Sequence, residues 1–215
     1  MTTPSLFSIE GVHLEIGGVA VLRGVDAEIR GGRLVAIAGA SGSGKSSLLR
    51  LCNRLESPTT GVVRCDGVDV ASIDVGALRR RVGMVFQRPT PFVGTVAENL
   101  AVADPSLDER GALELLASVG LDADFLHRDA LSLSGGESQR MCTARSLATR
   151  PEVVLMDEPT SSLDEQNSRG LEALALDLVA TGVSVVWVTH DEAQIDRIAA
   201  DVIRMERGRV VEAGS

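Results

Sequence analysis

Leu34-Val35-Ala36-Ile37-Ala38-Gly39-Ala40-Ser41-Gly42-Ser43-Gly44-Lys45-Ser46 joins an unbroken apolar run to a glycine-rich loop, and a helical pattern follows over Lys45–Leu55. A short apolar run bounded by glycine reads as a strand buried on both faces, the kind found in parallel sheets. From Gly39 to Ser46 the loop fits G-x-x-x-x-G-K-[ST]. In that pattern glycines let the backbone wrap a phosphate, while N–H groups and the helix N-terminus supply positive potential. The lysine reaches the β- and γ-phosphates and the serine hydroxyl binds Mg²⁺. ATP and Mg²⁺ are therefore the expected cofactors, around Gly39, Ala40, Ser41, Gly42, Ser43, Gly44, Lys45, Ser46 and Ser47. Chance alone would satisfy the four fixed positions in roughly one chain in a hundred of this length, before the flanking strand and helix are required.

The basic residues comprise 20 arginines and a single lysine, and that lysine is Lys45. Arginine serves everywhere else; at this position a compact ammonium on a flexible stem is required, which a planar guanidinium cannot replace.

Outward from the loop, the 215 residues bury a sizeable core as one domain, and 44% hydrophobic with 24% charged residues is an ordinary globular balance. A net charge of -9 argues against nucleic acid as a partner, which needs a basic face. Cys52, Cys65 and Cys142 are odd in number and widely spaced, so reduced core thiols are expected rather than a disulfide framework or zinc site. The start Met1–Ser5 lacks the basic and apolar regions of a signal peptide, which points to the cytoplasm. No apolar stretch approaches the roughly 20 residues that span a bilayer.

Phe7–Ile16 and Val19–Ile29 alternate apolar and polar residues and end in paired glycines, as antiparallel strands do. Val153–Met156 and Val183–Val188 read as further buried strands, preceded by helical segments Glu137–Thr149 and Asn167–Ala180. That alternation predicts an α/β fold with a mainly parallel core sheet and an antiparallel β layer. Between Pro89 and about Asp129 the pattern is helical, over Val96–Ala103 and Glu109–Val119. We therefore expect an inserted helical subdomain over 89–145, with the nucleotide-binding core formed by 1–88 and 146–215. A last helix near Glu192–Ala200 precedes a hairpin of Val202–Met205 and Arg209–Glu212, turning at Arg207-Gly208.

Val153-Val154-Leu155-Met156-Asp157-Glu158 is an apolar strand ending in two acids. Downstream of a phosphate loop, Asp157 is expected to hold Mg²⁺ and Glu158 to act as general base on the attacking water. Leu133-Ser134-Gly135-Gly136-Glu137, followed by Ser138-Gln139-Arg140, closely resembles the signature of ABC ATPases, which usually ends in Gln or Glu. Gln87 after Met84-Val85-Phe86, Ser161-Ser162-Leu163-Asp164, and His190 resemble the Q-loop, D-loop and H-switch of the same family, in the same order. The resemblance covers essentially the whole chain and implies the phosphate-loop NTPase fold of ABC ATPases, with a RecA-like core.

The resemblance further implies a head-to-tail homodimer, each ATP lying between Lys45's loop in one copy and Ser134, Gly135, Gly136 and Glu137 in the other. Gln87 would touch Mg²⁺ or water, Asp164 would link the two sites and His190 would contact the γ-phosphate. Family members place an aromatic residue before the glycine corresponding to Gly17, to stack on adenine; here it is Ile16, in a chain with no tyrosine. His13 and His127 have no such context and read as surface or structural, and Arg79-Arg80-Arg81 as a solvated face.

With no fused membrane span, coiled coil or second ATPase copy, the chain resembles the ATP-hydrolysing subunits that energise prokaryotic membrane transporters. Its expected partner is an integral membrane permease, met near Gln87–Phe92 and Val93–Leu100, with the chain peripheral on the cytoplasmic face. Gln87–Phe92 is similar to phosphate-import ATPases, whereas Trp187–Asp191 and Ser162–Asn167 are closer to small ATPases of iron or metal exporters. The alternative is a soluble ABC ATPase acting on nucleic acid, the ribosome or cofactor assembly. A phosphate-loop kinase leaves Leu133–Glu137 and Asp164 unexplained.

Overall fold

In a computed structural model of the chain, residues 5–214 are described; the start Met1–Pro4 lies outside them. Strands β1 (Ser5–Ile16) and β2 (Val19–Arg30) pair antiparallel across Gly17-Gly18, as their alternation requires. Strand β3 (Leu34–Ala38) leads through the phosphate loop into helix α1 (Lys45–Leu51). That helix stops short of Leu55: Arg54 adopts φ 56°, and Asn53 Oδ1 accepts from the Leu55 N–H at 3.3 Å, a local bond that competes with the helical one. A hairpin of β4 (Thr60–Cys65) and β5 (Val68–Asp69) then joins the antiparallel layer, giving the order β2-β1-β4-β5. No sequence periodicity marks this hairpin, because its return strand is only two residues long.

Helix α2 (Val75–Arg81) runs directly into β6 (Val82–Val85). Its arginines are not simply a solvated face. Arg79 donates to the Asn53 and Arg54 carbonyls, and Arg81 bridges Asp66 and Glu152. The helices α3 (Val96–Ala103), α4 (Glu109–Ser118) and α5 (Gly135–Ala148) follow. α5 packs against α3, α4 and β6 and continues unbroken through the expected boundary at 145/146. The chain then alternates β7 (Val153–Asp157), α6 (Glu165–Ala180), β8 (Ser184–Thr189) and α7 (Glu192–Ile198). It closes on the expected hairpin, β9 (Asp201–Glu206) and β10 (Arg209–Gly214).

The core sheet has the order β10-β9-β3-β8-β7-β6, parallel throughout except for β10 at its edge. Successive side chains of a strand point to opposite faces, so Val153 and Leu155 join the core beneath the antiparallel layer and α1. Val154 and Met156 join the other core, with Trp187, under α3 to α6. All three cysteines are buried and free, and Cys65's thiol is pushed up to about 11 by its burial. No helix among the described residues is long and apolar enough to cross a membrane.

The β9–β10 turn braces the phosphate loop. Gly208, at φ 80°, donates its N–H to the Ser43 carbonyl at 2.9 Å and accepts from the Arg23 N–H at 2.8 Å. A Cβ there would lie 2.3 Å from the Val21 carbonyl oxygen. Gly208→Ala is therefore expected to cost about 2–4 kcal/mol in urea unfolding. Gly170→Ala, in the exposed interior of α6 with nothing within 4 Å of the new methyl, should stabilise by about 0.5–1 kcal/mol.

Candidate functional site

Register decides where the chemistry collects. Ala38 of β3 lies opposite Thr189 of β8, Val188 opposite Asp157 of β7, and Met156 opposite Val85 of β6. The carboxyl ends of these adjacent strands are therefore level, and the loops leaving them carry Gly39–Ser46, His190, Glu158 and Gln87. Open α/β sheets bind ligands along this edge.

Gly39 turns the chain at φ 148°, where a Cβ would meet the Met205 carbonyl oxygen at 2.2 Å. Lys45 is only 4% exposed and donates its ammonium to the carbonyls of Gly39 at 2.8 Å and Ala40 at 3.0 Å. Its Nζ also lies 3.7 Å from Glu158 Oε1. Side chains cap the N-termini of α2 to α7, through Asp74, Thr95, Asp108, Ser134, Asp164 and Asp191. Among the described residues α1 alone has no such cap and no acid in its first turn, which leaves its positive end open to an anion. The Ser43 hydroxyl beside it is buried without a partner, a polar atom that a phosphate oxygen would satisfy. Ser47 lies in the same first turn, buried.

Ser46 donates its hydroxyl to Asp157 Oδ1 at 2.6 Å, and Asp157 is 1% exposed. No cluster of three or more His, Cys, Asp or Glu placed to hold a metal occurs among the described residues. One hydroxyl and one carboxylate suit Mg²⁺, which takes few protein ligands and fills its octahedron with phosphate and water oxygens. Gln87, expected at the metal, donates its amide to Glu158 Oε2 at 3.1 Å.

Glu158 sits at φ 43°, a left-handed conformation uncommon for a residue with a side chain and disfavoured further by Pro159. Its N–H donates to the Val188 carbonyl at 3.1 Å, which ties this strained residue to β8. Its Oε1 lies 3.6 Å from His190 Nδ1, and the His190 side chain is 64% exposed. A carboxylate aimed into the cleft between Lys45, Gln87 and His190 can take a proton from a water placed there.

The profile of the ABC transporter family matches residues 22–161, more than half of the chain and most of this site.

The chain belongs to the ABC transporter family.

It is 45% identical to the rice protein STAR1 (Oryza sativa subsp. japonica) over 92% of its own length and 59% of that protein's. The chain thus spans somewhat over half of that relative. It is 41% identical to the phosphate import ATP-binding protein PstB of Pyrobaculum aerophilum, over 94% of this chain and 88% of the other. Among solved structures it superposes on a bacterial Atm1-family ABC exporter with ATP bound, at TM-score 0.90 and 26% identity, covering 100% of this chain and 39% of the exporter's.

Among the described residues, no hydrogen bond or ion pair joins the other expected site residues, Ser134–Glu137 and Asp164, to the phosphate loop. Ser134 caps α5 reciprocally: its Oγ accepts from the Glu137 N–H at 3.4 Å and its own N–H donates to Glu137 Oε2 at 2.8 Å. These Ser134 bonds hold the Glu137 carboxyl below its usual range. Ser134 and Gly135 are exposed. Asp164 caps α6 by accepting from the Asn167 N–H at 2.8 Å, and Asn167 in turn accepts from Arg140 of α5. Ile16 ends β1 directly opposite Val19, and the two are 49% and 64% exposed.

Two contributors escape the sequence reading. Arg50 reaches Asp157 Oδ2 at 3.4 Å, and its i,i+4 spacing from Ser46 on α1 is the signal that was available. Gln139 donates to the Phe86 carbonyl at 2.9 Å, tying α5 to the residue before Gln87; nothing in the sequence marks that pairing.

Lys45→Arg keeps the charge but brings a planar group into a 4% exposed slot shaped for an ammonium. Calorimetric titration with Mg-ATP is expected to show at least about a hundredfold weaker binding, or about 2.7 kcal/mol, with an unchanged circular dichroism spectrum.

Proposed function

We propose that this chain is the ATP-hydrolysing subunit that energises an ABC membrane transporter, coupling ATP + H₂O → ADP + phosphate to movement of a solute. The observation that carries the reading is the convergence of Lys45, the Ser46–Asp157 pair, Glu158, Gln87 and His190 at the level ends of four adjacent strands. Lys45 and the uncapped start of α1 bind the phosphates of ATP. Bound between Ser46 and Asp157, Mg²⁺ would neutralise charge on the β- and γ-phosphates. Glu158 accepts the proton of the attacking water, Gln87 holds that carboxylate in place, and His190 contacts the γ-phosphate.

Ser134, Gly135 and Gly136 serve a second copy of the chain. Ser134 and Gly135 are exposed and Gly136 half-buried at the start of α5, and among the described residues none of them bonds to its own phosphate loop, so a head-to-tail homodimer supplies each site with the missing donors. The permease docks at a cleft of about 220 Å³ lined by residues of β6, α3 and α5, among them Met84, Phe92 and Val102. Arg145 braces this cleft, stacking 4.2 Å over the Phe92 ring and donating to the Thr90 carbonyl at 3.0 Å. Phe92 and Val102 are 47% and 63% exposed, apolar surface that a helix end of an integral membrane protein would cover on the cytoplasmic side. The net charge of -9 favours this partner over nucleic acid.

Wild-type protein is expected to release phosphate from Mg-ATP with no added acceptor. Glu158→Gln should bind ATP normally and turn over at least about a hundredfold more slowly. Equal rates for the two proteins would refute the assignment of the base.

Adenine meets the aliphatic Ile16–Val19 pair in place of a ring. Ile16→Tyr is expected to tighten ATP binding by on the order of 1–3 kcal/mol and to widen the gap between ATP and GTP affinities. Unchanged affinities would remove the base from this end of β1.

A further inference from the structure

Behind Glu158 and His190 lies a buried polar network that the reaction as set out above does not use. Gln194 of α7 is 3% exposed, and its amide is fully committed. Its Oε1 accepts from Trp187 Nε1 of β8 at 3.0 Å; its Nε2 donates to Glu172 Oε1 of α6 at 2.9 Å and to Thr160 Oγ1 at 3.2 Å. Glu172 is 5% exposed and is gripped by Arg197, at 2.8 and 3.0 Å, with Arg169 3.6 Å away. Burial alone would push the Glu172 carboxyl up, yet Arg197 and Gln194 hold it below its usual range.

Each partner of this amide belongs to an element that carries a site residue. Thr160 follows Glu158 by two residues in a tight turn, which the Ser161 N–H closes by donating to the Glu158 carbonyl at 3.1 Å. Trp187 lies on β8, whose end leads directly into His190. Glu172 lies on the helix that Asp164 caps. Through its backbone, Gln194 is also joined to the residue after His190, donating its N–H to Asp191 Oδ1 at 3.2 Å. An amide is required here: a single oxygen accepts from the indole while two N–H groups donate to a hydroxyl and a carboxylate.

We propose that Gln194 is a positioning residue for hydrolysis, holding the Glu158 turn and the His190 strand end in one geometry with the helix that Asp164 caps. The inference rests on the ATPase reading above. Displacement of α6 then reaches the 3.6 Å approach of His190 to Glu158 through the Gln194 amide rather than through the sheet.

The full-length chain tests it. Gln194→Leu is expected to lower kcat for Mg-ATP at least about tenfold with KM within about threefold of wild type. Emission of Trp187, the single tryptophan, should shift to the blue as its indole loses a hydrogen-bond acceptor. Gln194→Glu sets a carboxylate against Glu172 and should also slow turnover. Thr160→Val removes only the hydroxyl through which the amide reaches the Glu158 turn, and should likewise lower kcat while KM stays within about threefold of wild type. A purely space-filling role would lower the melting temperature without changing kcat. A folded Gln194→Leu protein with wild-type kcat would overturn the inference, as would wild-type kcat in Thr160→Val; should the leucine variant not fold, Thr160→Val decides. Wild-type protein that hydrolyses no Mg-ATP would instead count against the function proposed above.

Discussion

A strand buried on both faces can present chemistry only where it ends, and this constraint organises the molecule. β3, β7 and β8 are buried along their whole length. Their interiors are accordingly aliphatic, with Trp187 as the largest exception, and polar function is displaced to the loops that leave their carboxyl ends. Parallel pairing brings those ends level. The antiparallel β1–β2 layer and the β9–β10 turn then brace the phosphate loop from outside, through Gly208's bonds to Ser43 and Arg23.

Two departures from ordinary local structure mark the site. α1 lacks the side-chain cap that α2 to α7 possess, so the loop retains a positive end that its own chain does not neutralise. Glu158 occupies a left-handed conformation at a cost on the order of 1–3 kcal/mol. Strand β7 and the bond to Val188 offset that cost and point the carboxylate away from the buried Asp157. Adjacent acids thereby acquire separate environments: Asp157 is sealed against Ser46 and Arg50, whereas Glu158 opens into the cleft beside Gln87 and His190.

Most of the fold was legible because its signals are periodic. The apolar run before Gly39, the alternation in β1 and β2 and the glycine turn at Arg207-Gly208 each predicted an element that the structure contains. The early end of α1 and the β4–β5 hairpin were not legible. Asn53 and Arg54 interrupt an otherwise helical pattern, and two residues of β5 carry no period at all. Within the site, the phosphate loop and the acids ending β7 were readable from residue type and spacing, and the ABC signature from its own string. Gln139 and Gln194 were not, since a glutamine on a helix ordinarily faces solvent, and Arg50 left only its i,i+4 spacing from Ser46.

The sequence by itself determined what depends on neighbours a few positions apart: the loop that can wrap a phosphate, the helix caps, the turn residues and the apolar strands. Only the tertiary structure decided which distant groups meet. Ser46 and Asp157 bond across 111 positions, Arg50 and Asp157 across 107, Gln87 and Glu158 across 71 and Gln194 and Thr160 across 34. Such pairs leave no mark in local pattern, because a side chain's partner is set by strand order and register, and these emerge only when the whole core is buried at once.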